Sequence, residues 1–396
     1  MLTVSPGGVR IWNLNDSAAP GALASFNATT GLIPGGVAFN ATGRPLLADT
    51  ADIAAIRLWN LSNPRNPRNL ALHPSIYPHG IGAEINALAG GVALSYDGSL
   101  LAGSEVRNGR PAVALWRTRK PPAPPVAIIT RLDNGALSLA FTRRGHLLAV
   151  VDNANYRPAV RRPPSIKLYS VADPARPRLV AALPGDTTDV ALSPDGRLLT
   201  GYSGNLAECW DISNPRRPVR LPPIRLSSAS LVAGGAFSPT GTVLAVGDSL
   251  GALQLWQVSH DRLTRQLAIV HGPSRANLSH LSFSPDGRTL ALPGLVNGDV
   301  SQPAVELWDV STPPRPRLET QWPTQNGDDV NGLAFSPRGH VLAVEGNETV
   351  TLWDTDPAQV ARSLCAAAGD PISKADWGRY VPGAPYQPPC AGTAGR

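Results

Sequence analysis

A four-residue turn that recurs seven times, at nearly even intervals, constrains this chain more than any other feature. It is clearest at Ser193-Pro194-Asp195-Gly196. There proline pre-sets φ at the first corner, and glycine accepts the positive φ that closes a short hairpin. Leu192 precedes the turn and Leu198-Leu199 follow it; after a polar break at Ser203-Gly204-Asn205, a second apolar run reaches Trp210. Apolar runs on both sides of such turns read as three antiparallel strands, the third ending on an aromatic. Variants of the turn stand at Asn40–Gly43, Ser95–Gly98, Thr142–Gly145, Ser238–Gly241, Ser284–Gly287 and Ser336–Gly339. The aromatics that answer them are Trp59, Trp116, Tyr169, Trp210, Trp256, Trp308 and Trp353, and a further such strand ends at Trp12. Seven of the nine tryptophans thus share one repeat position, which scattered core tryptophans would not do.

The turn glycines are 45 to 55 residues apart, the period of a four-stranded propeller blade. The expected fold is an all-β, seven-bladed β-propeller over residues 20–354, with eight blades as the alternative count. A partial leading repeat (1–19) precedes it and a short helical tail (355–396), bracketed by Cys365 and Cys390, follows. Closure of the ring would remove exposed strand edges. If the outer strand of one repeat completes the next blade, Ala22–Asn27 serves the group ending at Trp59 and Asn69–His73 the group ending at Trp116. Residues 1–14 are then surplus, as in a piece of a longer polypeptide. In the tail, proline at Pro357 and glycine at Gly369 bound one predicted helix, and capping-box spacing at Ser373–Asp376 opens a second.

Asp follows the aromatic at Trp210, Trp308 and Trp353, and Asn follows Trp12 and Trp59. On these residues and the turns, nearly all of residues 1–354 resembles the WD (WD40-type) repeat family. The family's Gly-His pair ahead of the first strand is missing from most repeats. The tail, from Cys365-Ala-Ala-Ala-Gly through Asp376-Trp377 and Tyr380-Val-Pro-Gly to Cys390, resembles the ending of large actinobacterial WD-repeat proteins. Several of those carry STAND-type NTPase or kinase modules upstream, and neither a G-x-x-x-x-G-K-[ST] loop nor a kinase signature occurs here. The resemblance implies a scaffold or sensor that recognises a protein or ligand within a larger signalling protein.

Composition narrows the function classes. The 38 glycines and 40 prolines fit the turns of an all-β protein. No apolar run of about 18 residues exists, so no membrane-spanning helix is expected. The start lacks the charged head and apolar stretch of a secretory signal. A net charge of +6 would permit an acidic partner. Many arginines lie in one recurring element after the aromatic strand: Asn63–Arg68, Asp173–Arg178, Asn214–Arg220 and Thr312–Arg317. Its prolines stiffen a connection to the outer strand, and its arginines either keep an edge soluble or form a basic ring.

No catalytic constellation assembles. Cys209, on a strand, reads as a small buried hydrophobe. Cys365 and Cys390 are expected to bridge in an oxidising compartment, contributing on the order of 3–4 kcal/mol, and to stay as thiols otherwise. The compartment stays open: cytoplasmic for a standalone chain, extracytoplasmic if that bridge forms and a membrane segment precedes. Neither cysteine has ligand-spaced neighbours, so no metal or cofactor is expected. His146 and His340 share a solvent-facing slot after a turn glycine. The distance from turn glycine to aromatic is 14 or 15 residues in compact repeats but 18 for Trp116 and 24 for Tyr169. The excess is read as polar loops bearing Arg107 and Arg110 on one blade and Tyr156, Arg157, Arg161 and Arg162 on the next. Long loops on a rigid scaffold are where binding resides, and guanidinium groups beside an aromatic suit carboxylate or phosphate. A protein partner is expected; nucleic acid is not, for want of a stacking platform. The alternative from another class is a propeller hydrolase or lactonase with a metal in its channel.

Overall fold

A computed structural model describes residues 2–5, 8–11, 21–27, 37–40 and most of 45–356; the longer intervals outside the described residues are 12–20, 28–36, 75–90, 153–165 and 357–396. Among the described residues, seven four-stranded antiparallel sheets form a ring. In chain order, blades 1 to 6 span residues 37–74, 92–129, 136–183, 189–225, 232–271 and 282–323. Blade 7 joins the three strands of 332–354 to Gly21–Asn27. The inner strands touch in succession from blade 1 round to blade 7 and back to blade 1, so the ring is closed.

The second strand of each blade explains the packing. Leu47-Ala48, Leu101-Ala102, Leu148-Ala149, Leu244-Ala245, Leu290-Ala291 and Leu342-Ala343 are all fully buried. Successive strand residues face opposite ways, so an apolar run signals that neighbouring blades cover both faces. The repeat aromatic takes one register throughout: Trp59 lies opposite Leu47, Trp116 opposite Leu101, Tyr169 opposite Leu148 and Trp210 opposite Leu199. Trp256, Trp308 and Trp353 lie opposite Leu244, Leu290 and Leu342 in the same way. Between blades 3 and 4, Trp210 packs with Val151, Leu168 and Ile212.

The assignment of outer strands departs from the expectation. Arg68–Pro74 pairs with Ala55–Asn60 of its own repeat, and blades 2 to 6 follow suit. Residues 21–27 do not serve blade 1; they pair with Thr349–Asp354, Phe26 opposite Val350. A tight turn such as Asn63–Asn66, closed by the Asn66 N–H on the Asn63 carbonyl at 3.1 Å, returns the chain onto the strand it has just left. The expected extra loop of blade 2 is also mostly ladder, because Leu100–Arg107 and Arg110–Arg117 stay paired to Arg107 opposite Arg110. In blade 6 a 3-10 turn, Val296–Gly298, follows the second strand.

Upstream of the ring, Leu2–Ser5 and Gly8–Ile11 form a two-stranded sheet. Trp12, the predicted tail helices, Cys365 and Cys390 lie outside the described residues.

Candidate functional site

The seven hairpin turns between inner and second strands form a collar around one end of the axis. In each, a buried side chain at the first turn position accepts the N–H five or six residues on: Ser193 Oγ from Leu198 at 2.8 Å, Ser284 Oγ from Thr289 at 2.9 Å, Asn40 Oδ1 from Leu46 at 2.7 Å. Ser193, Ser284 and Ser95 also donate to the turn aspartate at 2.6 to 2.8 Å. Adjacent turns interlock. Gly241 and Gly287, with φ of 72°, would each set a Cβ against the proline of the preceding turn, Pro194 and Pro239. The collar encloses an axial mouth of about 600 Å³, floored by Phe39, Phe141, Leu192, Phe283 and Phe335 and rimmed by prolines.

The connectors to the outer strands emerge on this face. Each third strand ends at a residue whose N–H reaches the backbone just past the collar turn, as Ile212 does to Arg197 O at 2.7 Å and Val171 to His146 O at 2.8 Å. His146 and His340 are exposed here, and His340 Nδ1 lies 4.0 Å from Asp356. Between blades 5 and 6 a hollow of about 860 Å³ holds Asp286, Asp309 and Glu319 beside Arg288. Burial, then the charges of Asp309 and Asp286, pushes the Glu319 carboxyl up.

On the opposite face lie the connections between second and third strands, where the arginine cluster was expected. Arg107 and Arg110 are register partners at the end of the long hairpin of blade 2. Tyr156, Arg157, Arg161 and Arg162 lie in the connection of blade 3, outside the described residues. The two connections belong to neighbouring blades, since the inner strands of blades 2 and 3 touch. The base of the second is clamped: Lys167 Nζ donates to Asp152 Oδ2 at 2.6 Å, with both side chains buried.

Sequence reasoning missed a set of polar partners beside the aromatics. The residue two before each aromatic shares its strand face. In blade 1 this is Arg57, which pairs with buried Asp49 while Trp59 Nε1 donates to Asp49 Oδ1 at 2.8 Å. In blade 6 it is Glu306, which accepts from Trp308 Nε1 at 2.8 Å and Gln321 Nε2 at 3.1 Å. In blade 5 it is Gln254, bonded to Trp256 Nε1 at 3.1 Å. The readable signal was a charged or amide side chain on a strand otherwise committed to the core. Elsewhere, Ser138 Oγ of blade 3 donates to Asp189 Oδ1 of blade 4 at 2.6 Å, and burial pushes the Asp189 carboxyl up. Cys209 is buried and its thiol is pushed up to about 12 by that burial. Among the described residues, no three of His, Cys, Asp and Glu come together as a metal-ligand set. No described helix is long and apolar enough to cross a membrane.

Fold and repeat chemistry together define a seven-bladed propeller with a uniform turn collar on one face and unequal loops on the other. The family described as "WD domain, G-beta repeat" matches residues 318–354, the stretch containing the last Trp-Asp. A transducin beta-like protein 3 of Bos taurus is 27% identical over 181 residues, 45% of this chain and 21% of that protein. The WD repeat-containing protein VIP3 of Arabidopsis thaliana is 28% identical over 171 residues, 39% of this chain and 52% of that protein. Each match thus spans about half the length of its relative or less. Among solved structures, a chain from a crystal structure of the mitotic checkpoint complex shares the fold, with a TM-score of 0.64 at 15% identity over 84% of this chain and 91% of that one. In its repeats and its fold the chain is similar to WD-repeat proteins.

Proposed function

We propose that this protein is a non-catalytic scaffold or sensor that binds a protein partner, as one part of a larger signalling protein. The WD-repeat relatives and the propeller fold support the scaffold role. The observation that carries the choice of surface is the neighbourhood of a long hairpin in blade 2 and a long connection in blade 3, the latter anchored at its base by the buried Lys167–Asp152 pair. A frame fixed in this way lets variable loops above it change without disturbing the ring. Arg107, Arg110, Tyr156, Arg157, Arg161 and Arg162 are the contacts assigned to that partner, through guanidinium pairing with its carboxylates. Affinity capture with the parent chain and the Arg157→Ala/Arg161→Ala/Arg162→Ala variant tests this. The variant should retain its melting temperature and lose most of the captured partner. Equal capture by both would remove these loops as the binding surface.

A further inference from the structure

Exposed arginines gather on the collar face of blades 3 and 4. In blades 3 and 4 the connectors to the outer strands are built alike. Arg176 N–H closes on Asp173 O at 3.0 Å and Arg217 N–H on Asn214 O at 2.9 Å. Asp173 Oδ1 accepts from Ala175 N at 3.1 Å and Asn214 Oδ1 from Arg216 N at 3.2 Å. Pro174, Pro177, Pro215 and Pro218 are half-buried, and Arg176, Arg178, Arg216 and Arg217 between and after them are exposed. The prolines thus act as pegs that hold the arginine backbones in one conformation before any ligand arrives. A partner meeting such a surface is spared part of the ordering cost of association.

Two more exposed arginines, Arg143 and Arg197, extend this sector inward from the collar turns of the same blades. The Arg143 guanidinium lies over the Tyr96 ring, 4.7 Å from its centroid. Asp173, Asp195 and Asp211 share this sector, and Asp173 and Asp195 accept hydrogen bonds within their own turns. Asp195 Oδ1 accepts from Ser193 Oγ at 2.6 Å, and Asp211 Oδ1 from Ser213 N at 2.8 Å. Arg176, Arg178, Arg216 and Arg217 make no ion pair with a described carboxylate. In blade 6, by contrast, Asp286, Asp309 and Glu319 stand beside Arg288, Arg315 and Arg317. The basic sector also leads somewhere. A hollow of about 590 Å³ lined by Tyr96, Arg143, Pro194, Asp195, Arg197 and Pro239 adjoins the apolar axial mouth.

We infer that this face is a second docking surface, for an acidic segment of a partner protein that lies over blades 3 and 4 and seats an apolar side chain in the axial mouth. Charge complementarity selects the carboxylates, since guanidinium forks pair with them bidentately. The apolar floor of Phe141 and Leu192 selects an aromatic or aliphatic anchor. A single-stranded nucleic acid would need exposed aromatic faces for its bases. The aromatic beside the arginines, Tyr96, already has its ring under Arg143.

The test is fluorescence anisotropy on the full chain, with a labelled glutamate-rich peptide carrying one central phenylalanine. The Arg176→Ala/Arg178→Ala/Arg216→Ala/Arg217→Ala variant should weaken binding by about tenfold or more, at an unchanged melting temperature. The corresponding four lysine substitutions should keep most of the affinity. Replacing the peptide's glutamates by glutamine should cost as much as the alanine variant, and replacing its phenylalanine by serine should cost several-fold. Arg107→Ala/Arg110→Ala, on the opposite face, should leave this binding untouched, which separates it from the function proposed above. Equal affinity for parent and alanine variant, indifference to the glutamine or serine peptide, or tighter binding of an oligothymidylate probe would overturn the assignment.

Discussion

The two faces of the ring are made by the same repeats yet obey different rules. On the collar face every blade repeats one hydrogen-bond scheme, the first turn side chain accepting the N–H that opens the second strand. On the other face the connections between second and third strands range from a two-residue turn at Gly204-Asn205 to the long connection of residues 153–165. The collar turns pack on one another, so a change in one disturbs its neighbour. The far loops need only a well-held base. Uniformity therefore marks where the ring holds itself together, and variety marks where it is free to recognise something.

Breaking the base of a variable loop should cost most. Lys167→Met leaves Asp152 buried without its cation, with an expected loss of about 3–5 kcal/mol in chemical denaturation. A loss below about 1 kcal/mol would mean that the clamp is not structural. The collar should answer more mildly. Ser193→Ala strands the Leu198 N–H and should cost about 1–3 kcal/mol, with Ser238→Ala close behind because Val243 N–H depends on Ser238 in the same way. Unequal costs would show that the turns are less alike energetically than geometrically.

The smallest effect concerns pH. Burial holds the His280 imidazole down at about 4, against an ordinary value near 6.5. Between these limits the unfolded chain binds a proton that the folded one refuses. The stability is therefore present above about pH 6.5 and declines as pH falls toward 4. His280→Asn should flatten that slope, by on the order of 1 kcal/mol, because residue 280 keeps part of its surface in water. Melting temperatures of parent and variant at several pH values in this window would show it, and parallel profiles would contradict it.

The blade count and the shared register of the aromatics follow from features visible in one sequence: a turn with its own backbone demands, an apolar run, and a bulky ring at fixed distance. The allocation of the outer strands was misread although the signal was there. Asn63-Pro-Arg-Asn66 is itself a hairpin connection, and such a turn pairs the strands it joins. Closure through residues 21–27 could not be read locally, because the partner strand lies more than 300 residues away. The basic sector was half legible. The recurring Pro-Arg elements stand out in the sequence, but their meeting with Arg143, Arg197 and the axial mouth depends on the fold. The indole partners Arg57, Gln254 and Glu306 were passed over because a polar residue in a strand ordinarily faces solvent.

The central claim is a closed ring whose last blade is completed by the strand from its beginning. Cysteines at Ser25 and Thr351, which lie opposite one another in blade 7, test it directly in a chain with Cys209, Cys365 and Cys390 replaced by serine or alanine. Mild oxidation should join them in a disulfide found by peptide mapping, while Ser25→Cys paired with Arg57→Cys in blade 1 should stay reduced. A bridge from residue 25 to residue 57, with none to 351, would contradict the closure and with it the order of the blades.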